Sequence, residues 1–219
     1  MSASNERIEF YVHDLGEAEL ASVSETLGSL FLTLGPKVAR FEERFADFLD
    51  VPHVVGVNSC SMALFLGLRA LGIGPGDEVV TTPMTFVATS NAVLHVGATP
   101  VFADVERDTG LIDPEKVRAA ITERTKAIIA VHLYGQLADM RALRAIADEH
   151  GLFLIEDAAH AIEAERDGVR VGHLGDLTTF SFYATKTMAC GDGGAIAVHD
   201  ADLAARLKRL RNHGVSKDA

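Results

Sequence analysis

The sequence has no tryptophan and only two cysteines, Cys60 and Cys190, which lie far apart along its 219 residues. Two isolated cysteines exclude a disulfide framework and a paired-cysteine zinc knuckle, and they fit a reducing compartment. Positive charge is also scarce. Lysine and arginine number 20 against 31 aspartates and glutamates, a formal net charge of −11. That balance argues against nucleic acid or an anionic membrane as a partner, while a local basic pocket is compatible with it. No Gly-Lys-Ser/Thr phosphate loop is present. The nine histidines show no His-Glu-x-x-His or comparable spacing, so no metal site is expected. The polar start, Met1-Ser2-Ala3-Ser4-Asn5-Glu6-Arg7, lacks the apolar stretch of a secretory signal, and the expected location is the cytoplasm.

What is present is ordinary globular material, 48% hydrophobic and 23% charged, enough for one large domain with a sizeable core. Val79 to Ala103 carries no Asp, Glu, Lys or Arg. A membrane span needs about 20 predominantly apolar residues. This stretch instead holds five threonines, Ser90, Asn91, Pro83 and Pro100, and it reads as strand, helix and strand in a buried core.

From residue 52 onward extended and helical patterns alternate. Strands are expected at His53–Val57, Glu78–Thr82, Thr99–Asp104, Lys126–Val131 and Leu152–Glu156. Helices are expected near Ser61–Leu71, Thr85–His95, Pro114–Ile121 and Asp139–His150. Strands joined by crossover helices imply an α/β fold, a mostly parallel central sheet with helices on both faces. Then the rhythm changes. Thr178–Tyr183 and Ala195–His199 come with little helix between them and read as antiparallel edges or a hairpin-like return. A last helix is expected from Ala201 to Arg211, and two more, Glu17–Ser29 and Pro36–Leu49, precede the sheet. In the second of these, Val38, Phe41, Phe45 and Phe48 recur at helical spacing, as a core or dimer stripe does.

Three motifs carry chemistry. Val57-Asn58-Ser59-Cys60-Ser61-Met62 leads from a strand into a helix, where free amides and small hydroxyls make an anion site. Asn58 or Ser59 equally serves there as a plain helix cap. Leu154-Ile155-Glu156-Asp157-Ala158-Ala159-His160 ends an apolar strand in two acids and a histidine, at the edge where open α/β sheets bind ligands. A loop-capping acid and a core histidine are the alternative. Thr179-Phe180-Ser181-Phe182-Tyr183-Ala184-Thr185-Lys186 places a lysine ahead of the cluster Gly191-Asp192-Gly193-Gly194. Burial makes such a lysine nucleophilic, whereas a salt-bridged surface lysine is the bland reading. Gly72-Ile73-Gly74-Pro75-Gly76 follows a helix and is a stop and turn, not a dinucleotide loop. Anion cradle, acid and lysine together suit an anionic aromatic aldehyde held as a Schiff base, which describes pyridoxal 5'-phosphate.

Several stretches resemble the DegT/DnrJ/EryC1/StrS sugar aminotransferase family of fold type I pyridoxal phosphate enzymes. They are Gly35-Pro36-Lys37-Val38-Ala39-Arg40-Phe41-Glu42, Gly74-Pro75-Gly76-Asp77-Glu78-Val79 and Gly97 through Val105. Val131-His132-Leu133-Tyr134-Gly135, Glu156 through His160, Phe180 through Lys186 and Arg211-Asn212-His213-Gly214 extend the likeness over nearly the whole chain. The resemblance implies that Lys186 bonds to the cofactor and moves the proton between substrate and cofactor carbons. It implies that Asp157 pairs with the ring nitrogen, that His160 lies close to the ring and that Phe86 stacks on its face. The phosphate would be held around Cys60 and Ser61, with Ser181 as a further hydroxyl. Histidine replaces this lysine in the related sugar dehydratases, so Lys186 points to transamination.

Cys60 and Met62 stand where the family commonly has smaller residues, a change that leaves amide donors intact. Thr187 stands where asparagine is frequent. Relatives continue into a smaller C-terminal domain, so the chain is expected to lack that domain. Residues 1–50 are read as a helical segment packing on a cofactor-binding large domain, 51–219. The implied reaction moves an amino group from glutamate or glutamine to a keto-sugar, nucleotide-linked, in a homodimer. A keto-cyclitol acceptor, or an inactive dimerising or binding fragment, are the alternatives.

Overall fold

The computed structural model describes residues 8–215. Its strands are β1 (His53–Val57), β2 (Glu78–Thr81), β3 (Thr99–Phe102), β4 (Thr125–Val131) and β5 (Phe153–Asp157). They continue as β6 (Glu165–Arg166), β7 (Val169–Arg170), β8 (Leu177–Ser181) and β9 (Gly194–Val198). The helices are α1 (Glu17–Leu27), α2 (Pro36–Leu49), α3 (Cys60–Ala70) and α4 (Ala88–His95), then α5 (Pro114–Ala120), α6 (Met140–His150) and α7 (Ala201–Arg211). Local chemistry sets several of these starts. The Asp113, Asp139 and Asp200 carboxylates accept from backbone N–H groups of the first turns of α5, α6 and α7.

Seven strands form one sheet in the order β1-β9-β8-β5-β4-β2-β3. The run from β3 through β2, β4 and β5 to β8 is parallel, whereas β9 is antiparallel to both β8 and β1. β8 and β9 are therefore interior strands joined by a hairpin-like return, and the edges are β1 and β3. Both faces of the sheet are covered, as its mostly parallel pairing requires. Ile128, Ala130, Leu154, Ala195 and Ala197 face one core with α2, α5 and α6. Their neighbours Ala127, Ile129, Ile155, Ile196 and Val198 face the other with α3, α4 and α7. The central strands β4, β5 and β9 alternate between two dry layers, which is why their sequences read as largely apolar.

The aromatic stripe of α2 is core on one side. Phe45 is buried, stacks at 5.5 Å on Phe41 and meets Phe180 edge-on at 5.1 Å, while Phe48 lies half exposed. Arg211, at the end of α7, pairs with Glu42 of α2 and donates to the Gly56 carbonyl of β1 at 2.9 Å. Glu42 also accepts from the Gly56 N–H, so one carboxylate joins two helices to a strand. By contrast, α1 has no buried residue.

Three details depart from the sequence expectation. α4 starts at Ala88 rather than Thr85, because Thr82–Val87, which contains Pro83, turns away from the helix at the end of β2. β6 and β7 form a separate two-residue antiparallel ribbon, and Leu133–Gly135 form a 3-10 turn. Neither has a hydrophobic period long enough to read. The charge-poor stretch 79–103 resolves into β2, α4 and β3, and no helix among the described residues is long and apolar enough to cross a membrane.

Candidate active site

Strand ends converge at the carboxyl edge of the sheet. β1 leads to Cys60 and Ser61, β2 to Thr85 and Phe86, β5 ends at Asp157 and β8 at Ser181. They border a cavity of about 660 Å³, within the range of small-molecule sites. All seven residues singled out from the sequence line it: Cys60, Ser61, Phe86, Asp157, His160, Ser181 and Lys186. Phe86 projects at the mouth, 73% exposed. Asp157 lies deep, only 5% exposed.

The α3 N-terminus is built tightly against β9. The Ser59 hydroxyl accepts from the Met62 N–H at 3.2 Å, so Ser59 is the helix cap. The first-turn amides of Cys60 and Ser61 have no carbonyl one turn back to bond to, and they remain available to an anion. Gly194 allows this approach. A Cβ there would sit 2.5 Å from the Ser59 carbonyl carbon and 2.7 Å from the Cys60 nitrogen.

Asp157 is held from both sides. Its Oδ2 accepts from the Thr89 hydroxyl at 2.8 Å and its Oδ1 from the Ala159 N–H at 3.2 Å. The Cys60 thiol lies 4.0 Å from Oδ1. Burial, with the Asp157 charge second, pushes that thiol well up, so it stays protonated; a Thr179 hydrogen bond and Lys186 oppose the shift more weakly. Lys186 sits half-buried in the return between β8 and β9, fixed by its N–H donating to the Tyr183 carbonyl at 2.8 Å. Burial pushes its ammonium pKa down, against smaller upward pulls from Cys60 and Asp157. That is the direction a nucleophilic amine needs.

His160 is lowered too, first by burial and then by Lys186, with Asp157 opposing. Its ring stacks on Tyr134 at 5.8 Å, and its Nδ1 accepts from the Tyr134 N–H at 3.3 Å. The proton of the neutral ring therefore sits on Nε2. Tyr134 holds a left-handed backbone at φ +54°, an uncommon state for a side-chain-bearing residue and one associated with functional sites.

In the cavity wall, His132 forms a buried pair with Glu156 at 2.8 Å. Glu156 also accepts from the N–H groups of Gly172 and Gly175, and these bonds with His132 outweigh its burial and hold its carboxyl low. A Cβ at Gly175 would meet Glu156 at 2.7 Å. Reading the sequence alone missed this pair, and it missed Thr85, Thr89 and Tyr134. Thr89 and Asp157 are 68 positions apart, and no local spacing links them.

The sequence profile of the DegT/DnrJ/EryC1/StrS aminotransferase family matches residues 13–219. The chain belongs to this family. The spore coat polysaccharide biosynthesis protein SpsC of Bacillus subtilis (strain 168) is 52% identical over 205 residues, 94% of this chain and 53% of SpsC. The structure of DesI solved in the presence of its TDP-sugar product matches with a TM-score of 0.88 and 43% identity, covering 94% of this chain and 53% of DesI. The pyridoxal phosphate form of the putative sugar aminotransferase Spr1654 from Streptococcus pneumoniae matches with a TM-score of 0.91 and 33% identity, covering 95% and 59%. The chain thus spans about half the length of the relatives it matches. The fold is that of the fold type I aminotransferases of this family.

The residues present fit the family's cofactor. Amides at the α3 N-terminus, with the Ser61 and Ser181 hydroxyls, suit a phosphate. A deep, doubly held carboxylate suits a ring nitrogen, and a lysine with a lowered pKa suits an aldehyde. Among the described residues no three His, Cys, Asp or Glu side chains gather as a metal-binding group.

Proposed function

We propose that this chain is the cofactor-binding part of an aminotransferase that uses pyridoxal 5'-phosphate to move an amino group from glutamate or glutamine onto a nucleotide-linked keto-sugar. The observation that carries the reading is a single cavity bordered by Lys186, by the deep Asp157 and by the α3 N-terminus. Kinship with DesI, solved with its TDP-sugar product, supports the sugar-nucleotide acceptor, and kinship with the Spr1654 pyridoxal phosphate form supports the cofactor. When bound, pyridoxal phosphate supplies an electrophilic carbon for the amine and an electron-poor ring that stabilises charge on the donor's α-carbon.

The protein's own part is positioning and proton movement. The Cys60 and Ser61 amides, with the Ser61 and Ser181 hydroxyls, bind the phosphate. The Asp157 carboxylate holds a proton at the ring nitrogen. Phe86 would cover the ring and shed water from it, and His160 would offer Nε2–H as a donor beside it. The Lys186 amine, partly shielded from water, would carry at Nζ the proton that leaves the donor's α-carbon. Histidine could carry the proton but not form and re-form the covalent bond to the cofactor, so a lysine here separates transfer from dehydration.

Two further parts belong to the same proposal. Residues 51–219 act as the cofactor-binding large domain, with residues 1–50 as a helical segment upon it. The working unit is a homodimer, supported by the exposed apolar side chains Leu20, Val23, Leu27, Leu30, Phe31 and Leu32 on and after α1.

An absorption spectrum with pyridoxal phosphate, followed by borohydride reduction and peptide mass mapping, tests the reading. The expected result is a visible absorption band and a reduced adduct on Lys186, with added glutamate or glutamine bleaching the band. Folded protein that forms no adduct on Lys186 overturns it. An adduct that no amino donor bleaches favours the inactive binding fragment instead.

A further inference from the structure

The Thr89 hydroxyl has no role in its own helix. It lies in the first turn of α4, whose start has no side-chain cap, and its residue is only 1% exposed. Its one proton goes to Asp157 Oδ2 at 2.8 Å, because a carboxylate beside it accepts only. The contact to Thr85 Oγ1, also 2.8 Å, must then run the other way, with Thr85 donating to Thr89. Thr85 borders the cavity one residue before Phe86. A short chain of hydroxyls thus runs from the cavity wall through α4 to the buried acid.

The consequence for Asp157 is geometric. Thr89 holds Oδ2 and the Ala159 N–H holds Oδ1, so rotating the carboxylate breaks both bonds at once. At 5% exposure water cannot replace them cheaply. The same threonine pair anchors the loop carrying Phe86 to the acid, so ring face and ring nitrogen are registered by one device.

We propose that Thr89, with Thr85 donating to it, is the positioning residue that fixes the Asp157 carboxylate toward the cofactor ring nitrogen. This rests on the pyridoxal phosphate reading above. Without the Thr89 donor the carboxylate would be free to turn away from the ring nitrogen, and its hold on the ring proton would weaken.

The test uses the full chain loaded with pyridoxal phosphate labelled with nitrogen-15 in the ring. Wild type is expected to form the Lys186 adduct and show a protonated ring-nitrogen signal. Thr89→Val keeps the volume and removes the donor. It is expected to weaken cofactor binding about tenfold, the loss of one hydrogen bond to a charged group, and to move the nitrogen signal toward the unprotonated position. Thr89→Ser restores the donor and is expected to restore both readouts. Thr85→Val is expected to shift them the same way by less, and it reads the chain even if Thr89→Val does not fold.

Wild-type binding and nitrogen signal in Thr89→Val overturn the inference and leave the functional reading intact. So does equal loss in Thr89→Val and Thr89→Ser, which marks a packing role. Should Thr89→Val not fold, an unshifted Thr85→Val overturns it. Wild type that takes no cofactor on Lys186 overturns the functional reading itself.

Discussion

The chemistry proposed for Lys186 rests on surroundings that make an ordinary side chain more reactive. Burial lowers its pKa, and Cys60 and Asp157 beside it pull the other way only in part. The fraction of free amine therefore rises with pH through a midpoint below the usual lysine value of about 10.4. The rate of adduct formation with pyridoxal phosphate, followed by absorbance from pH 6 upward, is expected to trace that curve; a midpoint at the ordinary value would show that burial does not act on this amine. Lys186→Ala is expected to abolish the adduct and to lower transamination by at least about 10²-fold, the contribution of a positioned general base.

At the scale of elements, the site depends on backbone brought close where only certain residues fit. Gly194→Ala places a methyl group against Ser59 and Cys60 at 2.5–2.7 Å, so β9 or α3 must shift. Stability is expected to fall by about 1–3 kcal/mol, the usual cost of overpacking, with weaker cofactor binding at the displaced amides. Urea melts beside cofactor titrations check both. The His132–Glu156 pair ties β4 and β5 to the loop at Gly172–Gly175.

Glu156 titrates below its ordinary value in the folded chain, so the unfolded chain binds its proton first as pH falls. Its stabilisation is complete above the unfolded pKa near 4.3 and is lost as pH drops through the lower folded value. Glu156→Gln is expected to cost about 3–5 kcal/mol at pH 7, by leaving buried donors mispaired. The gap to wild type should narrow in melts taken from pH 5 down to pH 3, and a gap independent of pH would contradict the assignment.

The molecule as a whole presents an imbalance. Two buried layers enclose the sheet, yet α1 and the segment after it leave a run of large apolar side chains in water, Leu27 at 71% and Leu30 at 89% exposure. Monomeric proteins seldom leave contiguous apolar area of that kind uncovered. Sedimentation is expected to show dimers at micromolar concentration, and Leu20→Glu with Leu27→Glu to shift the population toward monomer. A wild type that stays monomeric throughout would count against a homodimer through this surface.

How much of this was legible in the sequence follows from the range of the interactions. Helix starts at Pro36 and Pro114, the Ser59 cap, the alternation of strands and helices and the cluster of Lys186, Asp157 and Cys60 motifs are local patterns, and local patterns can be read from spacing. The period-2 burial of β4 and β5 on both faces made their apolar runs unmistakable, and so the α/β class followed. Other features come only from folding distant segments together. Strand order is one of them: β8 and β9 read as antiparallel edges or a hairpin-like return, the return is what forms, and only the fold places both strands inside the sheet. The Thr89–Asp157 bond and the Glu42–Arg211 pair are others, each joining residues that no spacing connects. A sequence specifies which side chains are available and what local shape each prefers. Which of them share a cavity, lose their water and shift one another's protons depends on packing, because desolvation and hydrogen bonding act over a few ångströms of space and take no account of distance along the chain.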